Sequence, residues 1–406
     1  MINGRVVLLG AGRQGIAALH DLYMSDIISE ITVIDIRKDV DKIVNKYRDK
    51  VNFINMDVSD KNDLFKIFKQ ADIVIDLLPS HLNRYILESA LEYGIDLVNA
   101  SYLIPPEDTI KVDPEDFKTL DEYIDKLSSL AENKSITILP EFGLDPGIDL
   151  VLMGEAIKKL DEILEVNSFG AGLPEPSIAL KNPLHYKITW NFEGVLKSYK
   201  RPARIIRNKK ILKISPDEIF SKLYCRKIGV PNLGILEAYP NGDTAYFIHR
   251  FGLLNKVRNA ARLTLRWPGH CSFWYKLIRL GFLEEDPIDI RGVRIRPIDF
   301  IKELLEPKLV LQKNEKDLAF VMVSVKGIIR GKKKNIIYQI LDYKDPETGL
   351  TAMSRTTGFT VSIGAQLILR GEIKKKGLIF PGADVPYQRF IEELKKRGIK
   401  QYYFEI

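Results

Sequence analysis

Six residues, Gly10-Ala11-Gly12-Arg13-Gln14-Gly15, follow a short apolar run, Val6 to Leu9. They precede a stretch with apolar residues at Ile16, Leu19 and Tyr23, a helical spacing. A strand buried on both faces, a glycine turn and then a helix is the order in which a G-x-G-x-x-G pattern binds a dinucleotide. Gly10 permits the tight turn. Gly12 has no Cβ, so the backbone can approach a pyrophosphate. Gly15 lets the helix pack against the strand. The helix start at Arg13 and Gln14 offers free N–H groups and a partial positive charge to phosphates. Taken alone, the pattern is equally a glycine turn with no ligand. Asp35 tips the balance, because it stands 20 residues after Gly15 at the end of a second apolar run, Ile31 to Ile34. A carboxylate there accepts from an adenosine ribose and repels a 2′-phosphate, which predicts NAD. Arg37, two residues on, partly offsets that preference and keeps NADP open. Asp57 either approaches the adenine edge or closes a turn.

The next apolar runs keep the same rhythm. Strands are expected at Val51 to Asn55, Ile73 to Leu77, Leu97 to Asn99 and Ile136 to Leu139, with a helix from Leu82 to Tyr93 ended by Gly94. Strand and helix in alternation predict a Rossmann-type, doubly wound parallel sheet. Leu78 and Pro79 then fall at the carboxyl edge, where such a sheet places its ligand. A connector and one amphipathic helix are expected between residues 105 and 134. After about residue 148 the pattern changes. Lys187 to Trp190, Ile205 to Ile206, Ala319 to Val325 and Ile336 to Leu341 favour strands, with hairpin-like turns at Asn241-Gly242 and Arg330-Gly331. A second α+β domain on a mixed or antiparallel sheet is the expectation. Phe359 to Leu369 returns to helical periodicity. The resulting division is 1–147 for the dinucleotide, 148–350 for substrate and dimerisation, and 351–406 as a return segment packing on the first domain.

Composition narrows the function class. The 406 residues carry 61 Lys+Arg against 54 Asp+Glu, a formal charge of +7. So small an excess does not mark a nucleic-acid binder and suits anionic small molecules equally well. The short basic runs at Lys332 to Lys334 and Lys374 to Lys376 read as solvated turns. Two cysteines, Cys225 and Cys271, exclude a disulfide framework and a Cys-rich zinc site, and read as small buried residues. No two histidines stand at metal-ligand spacing, so no metal is expected. No apolar stretch approaches the roughly 18 residues of a membrane span, and the N-terminal apolar run does not read as a signal peptide. The expectation is a cytoplasmic protein without a membrane association.

Several local sequences resemble the saccharopine dehydrogenase family. They are Asn99-Ala100-Ser101-Tyr102, Phe142 to Asp149 (FGLDPGID), Asn182-Pro183-Leu184-His185-Tyr186-Lys187, Thr264 to His270 (TLRWPGH) and Thr351 to Gly371. The FGLDPGID and NPLHYK runs look most like the glutamate-forming enzymes of that family. The RWPGH run and the C-terminal block look equally like lysine 6-dehydrogenases. The resemblance implies nicotinamide-dependent oxidation of a C–N bond in an amino-acid substrate, in a homodimer. Saccharopine would yield glutamate and aminoadipate semialdehyde. It implies Ser101 at the cofactor and Tyr102 near the nicotinamide or substrate, against a core tyrosine as the plain alternative.

The chemistry needs a neutral amine, an activated water and held carboxylates. Glu141 and Asp145 flank the end of the sixth strand and are candidates to take a proton or anchor an ammonium. Asp145-Pro146 also fits a helix N-cap followed by proline. Arg266 offers a bidentate fork to a substrate carboxylate, with a structural salt bridge as its rival. His270 titrates near neutrality in its ordinary state and is a candidate base, or a satisfied turn histidine. Asn182, His185 and Tyr186 are further polar candidates, with Asn182 and Tyr186 assigned to substrate. His20 reads as structural, His81 as a minor cofactor contact, and His249-Arg250 have no placement. The rival activities are a lysine 6-dehydrogenase, a carboxyspermidine-type dehydrogenase, and a dinucleotide-binding protein without chemistry.

Overall fold

A computed structural model describes residues 3–59 and 61–406. It divides into two compact units: residues 1–103, 118–155 and 354–401, and residues 104–117, 156–353 and 402–406.

The first unit is built on β1 (Gly4–Leu9), β2 (Ile28–Asp35), β3 (Val51–Asn55), β4 (Ile73–Asp76), β5 (Asp96–Asn99) and β6 (Thr137–Leu139). Among the described residues a further strand, Gly377–Leu378, joins beside β6, and the order runs from it through β6, β5, β4, β1 and β2 to β3. All pairings are parallel. The continuous apolar runs are buried on both faces, as a covered parallel sheet demands. Strand order reverses between β1 and β4, which creates the crevice that open α/β sheets use for ligands. The helix Arg13–Tyr23 follows β1 directly. The helix Asn83–Tyr93 ends on Gly94 in the left-handed conformation, a conformation glycine adopts without Cβ strain.

The helix Ala352–Leu369 packs on the first helix, and Gly358 makes this possible. A Cβ there would lie 2.4 Å from the Gln14 carbonyl oxygen and 2.8 Å from Ala17 Cβ. Buried polar bonds fix the register: Ser362 Oγ and Gln366 Nε2 donate to Asp21, and Arg397 Nε adds a third at 2.5 Å. The very end of the chain departs from the expected return. The strand Gln401–Glu405 belongs to the sheet of the second unit, through Ile406 N to Asn335 O at 3.0 Å.

The second unit is α+β. Its strands are β7 (Glu162–Pro174), β8 (Ala203–Arg207), β9 (Lys210–Ile214), β10 (Arg226–Val230), β11 (Gly234–Pro240), β12 (Asn259–Arg266), the separate hairpin β13 (Ile288–Ile290) and β14 (Val293–Ile295), β15 (Asp317–Ile329) and β16 (Lys332–Tyr343). Among the described residues the main sheet has nine strands in the order β10, β11, β12, β7, β15, β16, then Gln401–Glu405, with β8 beside β12 and β9 beside β8. It is mixed, because β12 and β7 run parallel while β15 pairs antiparallel with β7 and β16.

Four expectations are corrected here. Lys187 to Trp190 is not a strand; its one ladder contact is a bridge from Ile188 to Val310, because Phe192–Tyr199 turns the chain into a helix at once. Asn241-Gly242 is not a hairpin turn, since it leads from β11 into the helix Thr244–Arg250, capped by Asp243. The Arg330-Gly331 pair does join β15 to β16, but Lys332 to Lys334 open β16 instead of lying in a turn. Finally, Cys225 and Cys271 are not separate apolar residues; they are joined as a disulfide across 46 residues of sequence. Spacing in sequence does not reveal a pair that the fold brings together.

Candidate active site

The glycine turn has the shape a dinucleotide needs. Gly10 sits at φ +86, a region that favours glycine, and its Cβ position would meet the Leu77 carbonyl oxygen at 2.8 Å. Gly15 has no room at all, because a Cβ there would lie 1.9 Å from the Gly10 carbonyl oxygen. Gly12 is different. Its φ of −66 and ψ of −173 are open to any residue, and a Cβ would meet nothing within 4 Å. Its bareness is unexplained by the protein's own packing. It is explained by a ligand that lies against the turn, at the N-terminus of a helix whose first N–H groups have no intrahelical acceptor. The residues therefore fit a dinucleotide pyrophosphate.

Three strands of this sheet end in the same way. Asp35, Asp76 and Asn99 close β2, β4 and β5, and each accepts the N–H of the residue two positions on, Arg37, Leu78 and Ser101. These side-chain turns shape the loops at the carboxyl edge. Asp76 was not singled out by sequence reasoning. Burial pushes its carboxyl up to about 7, although the Leu78 N–H opposes this, and its Oδ2 is buried without a partner. A carboxylate ending a wholly apolar strand is the signal that could have found it. Pro79 leads into a single turn, Ser80–Leu82.

Asp35 is already heavily engaged. Oδ1 accepts from Arg37 N and Nε; Oδ2 accepts from Ala11 N at 2.8 Å and Arg37 Nη2 at 3.1 Å. Burial works to raise its pKa, and these donors outweigh it and hold the carboxyl below the usual range. A carboxylate has about four lone-pair sites, so a ribose hydroxyl can enter only if the half-exposed Arg37 side chain swings away. This revises the electrostatic argument for NAD: the charge expected to repel a 2′-phosphate is neutralised by the arginine beside it. Asp57 is exposed and accepts from Ser59 N and Oγ, so its carboxylate shapes a turn. Arg13 and Gln14 open the first helix; Arg13 is exposed and Gln14 half-buried.

At the ends of β5 and β6, Ser101 and Tyr102 are half-buried, and Glu141 is 1% exposed. Glu141 takes φ +59, a left-handed conformation that costs a non-glycine residue energy and marks sites where geometry outranks comfort. Its Oε1 accepts the Leu103 N–H at 3.2 Å. Asp145 is not the expected helix cap. The helix Ile148–Lys158 begins later, and Asp149 inside it accepts the Gly147 N–H.

The second unit gathers Tyr186, Tyr199, Tyr239, Arg266, His270 and Trp274. Arg266 ends β12 and is 6% exposed. Its Nη1 donates to the Leu265 carbonyl oxygen, its guanidinium lies over the Tyr186 ring at 5.5 Å, and its Nε has no hydrogen-bond partner. Glu237 stands opposite Arg266 in the β11–β12 ladder. However, its carboxylate accepts Gly269 N at 3.0 Å and Cys271 N at 2.8 Å, and forms no ion pair with the arginine. Burial pushes the Tyr199 and Tyr239 phenols up, so both stay neutral near pH 7. The arrangement is a buried cation among neutral groups, which is costly until an anion arrives.

His270 does not titrate near neutrality as expected. Burial, assisted by the charge of Arg266, holds it well below its ordinary value. Its Nε2 is 2.8 Å from Tyr199 Oη, so it orients that phenol as a neutral ring. Asn182 is spent on its own loop: it donates to Tyr186 O and accepts from Leu184 N and Tyr186 N. His185 has φ +50 and lies 3.2 Å from the Pro268 carbonyl oxygen. Tyr199 and Tyr239 were missed from sequence, because neither stands in a motif. The ligand atoms of Cys225, Glu237 and Cys271 lie within 4.8 Å of one another, the kind of group that metal spacing in sequence did not predict, though here the sulfurs are bonded to each other. Among the described residues no helix is long and apolar enough to cross a membrane.

Residues 6–139 match the family model for the saccharopine dehydrogenase NADP binding domain, and residues 143–399 match the saccharopine dehydrogenase C-terminal domain. The chain is 25% identical to alpha-aminoadipic semialdehyde synthase of Arabidopsis thaliana, covering 89% of the chain but 39% of that protein. It thus spans less than half the length of such relatives. Saccharopine dehydrogenase [NADP(+), L-glutamate-forming] of Saccharomyces cerevisiae is 24% identical and covered to 97% on both sides. Carboxyaminopropylagmatine dehydrogenase of Synechocystis is 22% identical over 97% of this chain and 96% of its own. A solved apo structure of the yeast saccharopine dehydrogenase superposes with a TM-score of 0.82, at 22% identity and full coverage of both chains.

Proposed function

Because the chain belongs to the saccharopine dehydrogenase family, we propose that it oxidises the secondary amine of saccharopine with NADP and releases glutamate. The observation that carries this reading is the buried guanidinium of Arg266, ringed by neutral phenols and without an anionic partner among the described residues. A substrate carboxylate supplies the missing charge, with a bidentate fork as the natural geometry.

A nicotinamide held by the turn at Gly10 to Gly15 would supply the acceptor for a hydride from the substrate carbon next to nitrogen. The amine proton leaves, water adds to the resulting imine, and the C–N bond breaks to give glutamate and aminoadipate semialdehyde. The chain's own part is binding, orientation and proton handling. The turn at Gly10 to Gly15 receives the pyrophosphate. Arg37 turns from Asp35 toward the 2′-phosphate, which frees Asp35 for the ribose. Leu78, Pro79 and Ser101 line the carboxyl edge. Tyr102 and Asp145 handle the amine proton, and the strained Glu141 faces an ammonium. His270 holds Tyr199, and Tyr186 supports Arg266 from below its plane. The enzyme works in the cytoplasm as a homodimer, a state that sedimentation equilibrium reads directly.

A carboxylated polyamine is the second reading, supported by the likeness to the Synechocystis dehydrogenase named above. It too would present one carboxylate to Arg266. The test offers saccharopine, lysine and a carboxyalkylated polyamine, each with NADP or NAD, and follows nicotinamide absorbance. Turnover of saccharopine with NADP is the expected result. Activity confined to lysine or to the polyamine would replace the proposal.

A further inference from the structure

The disulfide between Cys225 and Cys271 lies where it can act on the carboxylate site. Cys271 follows His270 at the head of the helix His270–Arg279, and the N–H groups of Gly269 and Cys271 hold the two oxygens of Glu237. Glu237 is the residue directly across the ladder from Arg266. One covalent tie therefore fixes the donors that keep an acidic neighbour away from a buried, unpaired arginine. The same helix start carries His270, whose Nε2 orients Tyr199.

We propose that Cys225–Cys271 is a thiol-responsive switch that sets the affinity of Arg266 for a substrate carboxylate. Cys225 is half-buried whereas Cys271 is 3% exposed, so an external thiolate attacks the Cys225 sulfur. The S–S bond breaks, Cys271 leaves as a thiolate and takes a proton, and a second external thiol releases Cys225. Two thiols are formed in the protein, and the external thiol pair is oxidised to its disulfide. With the tie gone, the helix head loosens its hold on Glu237. The freed carboxylate then turns to Arg266 and competes with the substrate. Oxidation restores the open arginine. The switch deepens the proposed carboxylate site, and its test separates the two claims.

The purified full chain is compared before and after dithiothreitol, with EDTA present so that a thiol-bound metal contributes nothing. Alkylation and mass spectrometry should count no free thiols before reduction and two after. Reduction should raise the KM for saccharopine about three- to tenfold and leave kcat and the KM for NADP unchanged. Cys225→Ser should show the raised KM from the start and ignore the reductant. Glu237→Gln, whose amide brings no charge to Arg266, should lose the redox response while its cysteines still interconvert. Free thiols in the unreduced protein would overturn the proposal, and so would an unchanged saccharopine KM on full reduction. If no saccharopine turnover is found in either state, the proposed reaction fails on its own. The switch is then read from the His270 imidazole resonances in selectively labelled protein, which must shift on reduction; resonances that stay put would sink it as well.

Discussion

Gly12→Ala separates ligand binding from folding more cleanly than any other change in the first unit. At Gly12 the backbone angles suit alanine and a Cβ would touch nothing within 4 Å. Replacing glycine where the backbone is already compatible stabilises a protein by about 0.4–1 kcal/mol, through the unfolded chain. The melting temperature should therefore hold or rise slightly. Binding should behave in the opposite way. The added methyl would occupy the space against which a pyrophosphate lies, and two N–H bonds to a charged group are worth roughly 1.5–3 kcal/mol each. The dissociation constant for NADPH, titrated by its fluorescence, should rise at least about a hundredfold, since each 1.4 kcal/mol is tenfold. Gly15→Ala is the control with the reverse logic. A Cβ 1.9 Å from the Gly10 carbonyl oxygen needs a shift of more than about 1 Å to reach an ordinary C···O distance, so this variant should lose stability. If Gly12→Ala binds NADPH as well as the parent, the pyrophosphate does not lie on this turn.

Four further outcomes follow from the geometry. Arg37→Ala should weaken NADP binding about tenfold or more and improve NAD, because Asp35 loses the donor that occupies both its oxygens; equal losses for the two cofactors would contradict the 2′-phosphate role. Arg266→Met should raise the KM for saccharopine at least about a hundredfold without lowering the melting temperature, since it removes an uncompensated buried charge; a large fall in stability with unchanged KM would make Arg266 structural. Asp76→Asn keeps the acceptor for Leu78 but cannot ionise. The native carboxyl titrates near 7, above its ordinary 3.8, so the folded state binds the proton more tightly. The stability from Asp76 is complete below about 3.8 and is lost as pH rises through 7. The variant should therefore gain several degrees over the parent at pH 8 and little at pH 4, and an equal difference at both would refute the titration. Reduction of the disulfide, which spans 46 residues, should lower unfolding free energy by up to about 4 kcal/mol on the loop-entropy relation, read by denaturant melts with and without dithiothreitol; identical midpoints would deny the tie any stabilising role.

Six strands of the parallel sheet were legible because each is a short apolar run, whereas Gly377–Leu378, only two residues long, carries no such signal. The ends of β3 and β5 at Asn55 and Asn99 fall where the apolar runs stop. The dinucleotide turn was equally local. What the sequence hides is anything that depends on which distant residues meet. Asp35 reads as a free ribose acceptor until Arg37 is seen bound to both its oxygens. Tyr199 and Tyr239 stand far in sequence from Arg266, and only the folded second unit puts them around it. His270 looks titratable in its motif, but its burial under Tyr199 and beside a cation is a tertiary fact. The Lys187 to Trp190 stretch has strand-like residues but no neighbouring strand to pair along its length. Local chemistry locates the cofactor turn; the carboxylate site is a product of packing.

The central claim is that a carboxylate-bearing secondary amine is oxidised and cleaved with NADP. The most direct measurement quantifies NADPH by absorbance and glutamate by mass spectrometry in the same reaction with saccharopine. The two should accumulate in equal amounts, alongside aminoadipate semialdehyde. NADPH formation from saccharopine with no glutamate, or glutamate appearing only when lysine or a polyamine derivative is the substrate, would contradict the account.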